Sequence, residues 1–134
     1  MDHTLTKIQW NEQGKIRVRE STEAQAKHLV VKSLVMLYIK MKHKSKSHSV
    51  KIYTEWPVTE GKICDVYYEN SWDKEAIAYE IQKQVTPQWI EETRQAYEDW
   101  EVHGIKTADY IVIDLNKISD DINIMKKQIE EIVI

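Results

Sequence analysis

Three acids and one amide carry the chemical interest of this chain. Asp65, Glu80 and Gln82 fall in two consecutive strand-like segments, KICDVYYEN and AIAYEIQKQ, and Glu55 lies in a third, SVKIYTEW, just upstream. The turn-like stretches PVTEG and SWDKE join the three. Symmetrical closure about Glu60 and Gly61 sets Glu55 across from Asp65. Closure between Trp72 and Asp73 sets Asp65 across from Glu80. Like charges directly opposite one another destabilise a sheet, and no Lys or Arg faces any of the three acids in this register. The expectation is a row of carboxylates that calls for a divalent cation.

Magnesium takes hard oxygen ligands, commonly one or two carboxylates, and leaves the rest of its shell to water and substrate phosphate. Asp65 and Glu80 are the expected ligands of Mg2+ or Mn2+. An ion there would polarise a phosphodiester and lower the pKa of a water near it. Gln82 follows Glu80 by two residues and is expected on the same face, where its amide can orient the attacking water. Glu55 is expected to assist. Lys83 is expected to face the opposite way. The competing reading of the same residues is a solvated polar sheet face with no metal.

The elements that must position these groups follow from local pattern. KIQWNEQGKIRVRE (7–20) reads as a small hairpin turning at Asn11 to Gly14. Thr22 and Gln25 fit a capping box, so a helix is expected to run from there to about Lys42. Its middle, Leu29 to Ile39, is apolar almost all round, which predicts burial on more than one side. The three strands follow the polar loop KHKSKSHS (42–49). Their core face is expected to hold Ile52, Thr54, Cys64, Val66, Tyr68, Ile77, Tyr79 and Ile81, leaving the carboxylate face open. Thr86 and Pro87 start a second helix, expected to end at Gly104, with Ile90, Thr93, Tyr97 and Trp100 as its inward stripe. ADYIVIDLNKI (108–118) reads as a buried strand, and the strand–helix–strand spacing predicts a parallel pair. Ser119, followed by Asp120 and Asp121, is expected to cap a last helix lined by Ile122, Met125, Ile129 and Ile132. The fold class is α/β (α+β): one domain with a mixed central sheet flanked by helices, in the order α-β-β-β-α-β-α, with an N-terminal hairpin ahead of it.

Bulk properties narrow the function. The chain has 134 residues and a formal charge of −3, so nothing in its global charge marks nucleic acid as partner. A local patch would have to do so, and Lys42, Lys44 and Lys46, with Lys83, are the expected contacts to a DNA backbone. A solvated charged face is the alternative. The single cysteine, Cys64, excludes an internal disulfide framework and makes a reducing, cytoplasmic location the default. No apolar run reaches the roughly 20 residues that span a bilayer. There is no glycine-rich phosphate loop and no nucleophile elbow, against nucleotide hydrolases and serine esterases.

Asp65 on the second strand, with Tyr79-Glu80-Ile81-Gln82-Lys83 on the third, resembles the PD-(D/E)xK nuclease superfamily over roughly residues 22–118. The Glu-x-Gln form is similar to that of CoiA-like proteins and of small nucleases of archaeal viruses. Arg94 and Tyr97, on the helix after the motif, fit that subgroup. The resemblance implies a restriction-endonuclease-like fold and Mg2+-dependent (or Mn2+-dependent) hydrolysis of DNA, in the host cytoplasm if the source is viral. It adds the Ile81 carbonyl as a third metal ligand and Glu23 as an acid beside the metal. Lys27 and His28, one turn on, join as metal or phosphate contacts. The helix dipole alone also accounts for Glu23, and a histidine on an apolar helix is commonly an edge residue. Gln82 cannot supply the positive charge of the usual lysine. A nuclease-fold protein that binds DNA without turnover, a Holliday-junction resolvase and a plain interaction domain are the alternatives. So small a domain is expected to act as a homodimer.

Overall fold

The structure is a computed structural model, and it describes residues 23–46, 48–59, 61–105 and 108–134. The expected hairpin at 7–20 and the Thr22 cap lie outside the described residues. The chain is α+β. Helix α1 (Glu23–Lys42) and a 3-10 turn (Lys44–Lys46) lead into β1 (Val50–Thr59), β2 (Lys62–Asn70) and β3 (Glu75–Gln82). Then come α2 (Pro87–Tyr97), β4 (Asp109–Asp114), a second 3-10 turn (Leu115–Lys117) and α3 (Ile122–Ile132). The two 3-10 turns are additions to the expected order. The four strands form one mixed sheet in the order β1-β2-β3-β4, antiparallel except for the parallel β3–β4 pair. Among the described residues no helix is long and apolar enough to cross a membrane.

Alternation along β3 divides the interior. Ile77, Tyr79 and Ile81 face α1 and α3, where Val31, Val35, Ile39, Met125 and Ile129 complete the larger core. Ala76 and Ala78 face the other way, into a smaller aromatic core with Tyr67, Tyr97 and Trp100. Both faces of the sheet are therefore covered, and the carboxylate face expected to be open is not. The β3 strand buries six consecutive residues, Ala76 to Ile81, as a central strand with helices on both sides should.

Three features of the helices differ from expectation. Helix α1 is buried along one side only, leaving Leu29, Leu37 and Met41 exposed. Helix α2 keeps its Thr86 cap, whose hydroxyl accepts from the Trp89 amide, but stops at Tyr97. Asp99 and His103 then take left-handed backbone (φ 57° and 49°), which no helix continues through. Thr93, Tyr97 and Trp100 point inward as expected, whereas Ile90 is exposed. The cap of α3 is Asp121 rather than Ser119: its carboxylate accepts from the Asn123 and Ile124 amides. Ser119 braces that cap by accepting from the Asp121 amide.

Candidate active site

The register of the β1–β2 hairpin reaches the expected alignment through an irregularity. Thr59 pairs with Lys62, and strict closure from there would set Glu55 across from Val66. A slip between Pro57 and Thr59 removes one residue, so Thr54 pairs with Val66 and Trp56 with Cys64. Glu55 is thereby left opposite Asp65. Glu55 has φ 51°, the left-handed region, and at that point alternation resets on both strands. Tyr53 and Trp56, three residues apart, stack on one face with ring centroids 4.3 Å apart. Cys64 and Tyr67, also three apart, share the aromatic core on the α2 side. Cys64 is thus on the face opposite to the one expected. Of the residues between them, Val66 packs in the α1-side core and Asp65 reaches α1 through His28.

That reset decides where the acids go. Asp65 Oδ1 lies 3.0 Å from His28 Nε2 on α1. Its Oδ2 accepts the Ile81 amide at 2.7 Å. Glu55 pairs with Lys32 of α1. Glu80 keeps strict alternation and turns the other way. Its Oε1 accepts from the Tyr97 hydroxyl at 2.9 Å, and its Oε2 is 3.2 Å from Lys62 Nζ. The expected single row of three carboxylates is therefore corrected: register brings Asp65 and Glu80 opposite each other, but their carboxylates turn to different helices. The expected lack of facing cations is corrected too. His28, Lys32 and Lys62 each serve one acid, and two of the three come from α1, which a two-dimensional register cannot place.

The Glu80 carboxyl feels the Asp65 charge across the strands. Burial pushes the Glu80 carboxyl above its ordinary value, Tyr97 and Lys62 pull it back, and the Asp65 charge adds to the rise. The hydrogen bond to Asp65 raises His28 against the cost of its burial, and the Asp65 and Glu55 charges add to the rise. Burial and the Glu80 charge push the Cys64 thiol up to about 12, so it is no nucleophile near neutral pH.

A cleft of about 330 Å3 opens beside α1, lined by Gln25, His28, Leu29, Lys32, Glu55, Gln82, Lys83 and Leu115. Gln82 thus sits with the α1 residues and not, as expected, on the Glu80 face. It is the last residue of β3, and its side-chain oxygen accepts from the Lys83 amide. Lys83, exposed, lines the same cleft. Glu23 opens α1, but its side chain lies outside the described residues.

Three expected phosphate contacts have other work. Lys27 donates to the Leu115 carbonyl at 2.9 Å and to that of Ile118, and pairs with Asp120 at 2.9 Å. Lys42 donates to the carbonyls of Glu130 and Val133. Lys46 pairs with Asp73 at 2.7 Å. The first two fasten α1 to the end of β4 and to α3. Lys44 is exposed beside a second cleft with Lys40 and His43.

Sequence reasoning missed Lys62, the partner of Glu80, and gave Tyr97 no part in holding that acid. A signal existed for Tyr97, since its helix follows the motif directly. For Lys62 there was none, since it stands three positions before Asp65 on β2 and meets Glu80 only in the packed structure. Sequence reasoning also passed over Glu69, a second buried acid, which accepts from the Tyr67 hydroxyl at 2.6 Å and meets His103.

Asp65 and Glu80 offer hard carboxylate oxygens on neighbouring strands, but the two side chains turn to different sides of the sheet. In the arrangement described, His28, the Ile81 amide, the Tyr97 hydroxyl and Lys62 occupy those oxygens, and among the described residues no group of three or more His, Cys, Asp or Glu side chains is placed to hold a metal. No family model, no curated protein and no solved structure matches the chain.

Proposed function

We propose that the chain is a metal-dependent DNA nuclease of the PD-(D/E)xK type, with a restriction-endonuclease-like form of its α+β fold. The observation that carries this reading is the placement of Asp65 on β2 across from Glu80 on β3, beside a cleft bearing His28, Lys32 and Lys83. Asp65 stands on the cleft side through His28, and Glu80, opposite it in register, turns to the α2 side while feeling its charge; an acid beside a cleft that carries basic side chains suits phosphodiester chemistry. Asp65 and Glu80, with the Ile81 carbonyl, would hold Mg2+ or Mn2+, which supplies Lewis-acid chemistry at a phosphate.

The chain's own groups do the rest. Lys83, exposed at the cleft, draws a phosphodiester in, beside the Lys32–Glu55 and His28–Asp65 pairs. Gln82, at the cleft wall, orients water by its amide. Tyr97 fixes the Glu80 carboxylate from behind. DNA is the proposed partner, and two copies acting together fit the apolar side chains of Leu37 and Met41 exposed on α1.

A second reading has its own observation. Glu80 is only 4 % exposed and engaged at both oxygens, and no lysine stands at position 82. That arrangement favours a protein that binds DNA and turns it over slowly or not at all. One experiment separates the two: incubation of plasmid and branched DNA with the protein in Mg2+ or Mn2+, compared with the D65N and E80Q variants. Metal-dependent cleavage lost in both variants supports the nuclease. Retarded migration of DNA without cleavage supports the binding protein. Neither result in the wild type overturns both.

A further inference from the structure

Helix α1 carries a row of side chains at intervals of four: His28, Lys32, Met36 and Lys40, with Lys44 one step further on, just past the end of the helix. Residues four apart stand one above the next on a single face, so this face is basic except where Met36 packs against the core. Strand β1 accompanies the row. The cleft at its start is lined by His28 and Lys32 of α1 and by Glu55 of β1. A second cleft, of about 560 Å3, lies at the other end, where Lys40, His43 and Lys44 meet Val50 and Ile52 of β1. The two clefts therefore mark the ends of one seam between the same two elements.

The cations at the two ends are held differently. At the first, Lys32 is paired with Glu55 and His28 with Asp65, and Lys83 is exposed beside them. At the second, no Asp or Glu is among the described lining residues. Lys40 and Lys44 are exposed and have no ion-pair or hydrogen-bond partner among the described residues. His43 is already engaged: its ring stacks on Tyr68 at 4.6 Å, and its nitrogens meet the Tyr68 hydroxyl and the Ile134 carbonyl, each at 3.2 Å. It forms wall there rather than a free donor. Like charges four residues apart repel, and an anion between Lys40 and Lys44 removes that cost.

We infer that a DNA strand bound at the first cleft continues along α1, and that Lys40 and Lys44 hold its backbone at the second. From His28 to Lys40 the helix rises about 18 Å, or about five phosphate steps of a B-form strand. This path rests on the DNA reading above. It places the strand beside Asp65 at one end and anchors it well away from that acid at the other. Lys40 and Lys44 are anchors and touch no reacting atom.

The test measures binding of the full chain to a fluorescent DNA duplex by anisotropy over a range of salt. The double variant K40A/K44A is expected to lower the salt slope by about 2 and, near 0.1 M salt, the affinity at least about 10-fold. Its melting curve should match wild type, because both side chains are exposed and unpaired. Lys126 and Lys127 are exposed on α3, outside both clefts, so K126A/K127A removes the same charge and should leave binding nearly unchanged. In cleavage assays K40A/K44A should raise KM and leave kcat alone, as loss of uniform binding does. Unchanged DNA affinity in K40A/K44A, with K83A still weakening it, would overturn the path and leave the DNA reading standing. Equal losses in the two double variants would also overturn it, since net charge alone would then account for binding. A wild type that binds no duplex even at low salt would overturn both.

Discussion

The Asp65 carboxylate stands where a neighbouring strand's carbonyl would, accepting the Ile81 amide at 2.7 Å just past the last regular pair of β2 and β3, Val66 with Tyr79. One side chain thus closes the ladder and bears the site's charge. Removing it exposes a backbone donor without a partner. D65A is expected to lose about 1–3 kcal/mol of stability, the cost of an unsatisfied buried donor. D65N keeps an acceptor oxygen and should lose distinctly less. Urea unfolding of both variants checks this, and equal losses would show that the Ile81 bond carries no weight.

His28 gives stability a pH dependence of known sign. Its folded value is raised above the ordinary 6.5, chiefly by the bond to Asp65. The folded state therefore binds the proton more tightly than the unfolded chain. The contribution is fully present below 6.5 and is lost as pH rises through the folded value. The Tm difference between wild type and H28N should be largest at pH 6 and shrink steadily toward pH 9. A difference that grows with pH would contradict the pairing.

Tyr97 holds the charged form of Glu80, countering the burial that pushes this carboxyl up. Y97F should raise the Glu80 value further and destabilise the fold by about 1–2 kcal/mol near neutral pH. The loss should narrow as pH falls through the raised folded value of Glu80, above the ordinary 4.5, because a protonated Glu80 has less need of a donor. Thermal melts across pH 4 to 8 test it, and a pH-independent loss would mean that only ring packing had changed.

Lys27 and Lys83 should separate fold from recognition. Lys27 ties α1 to two carbonyls and to Asp120, so K27M is expected to cost about 1–3 kcal/mol. DNA affinity per folded molecule should stay the same. Lys83 is exposed at the cleft, so K83A should leave stability alone and lower the salt slope of DNA binding by about 1. Salt titrations of DNA affinity on both variants decide it, and a reversal of the two outcomes would move the interface elsewhere.

Glu55 holds a left-handed backbone at φ 51°. Asparagine tolerates that region and a β-branched residue does not. E55V should therefore be about 1–3 kcal/mol less stable than E55N. Equal stability would mean that the bulge relaxes freely.

How far the sequence reached can be judged at particular residues. Period-2 patterning in KICDVYYEN and AIAYEIQKQ fixed where β2 and β3 run and which residues face each other, because the β2–β3 turn is short and the pairing regular. The pairs Val66 with Tyr79 and Asn70 with Glu75 follow from it. Thr86 and Pro87 marked the start of α2 because capping is a local interaction. Asp65 and Glu80 were found as acids on adjacent strands by the same local reasoning.

Where their carboxylates point was not local. A slip at Pro57 and a left-handed Glu55 reset the alternation, and α1 arrived with His28 and Lys32 to take two of the acids. A lysine's partner depends on which element packs over it, as Lys27, Lys42 and Lys62 each show. Residue type and spacing determine an element's kind and its register, since both arise from neighbours along the chain. The direction and pairing of a charge depend on groups distant in sequence, and only the packed structure brings those together.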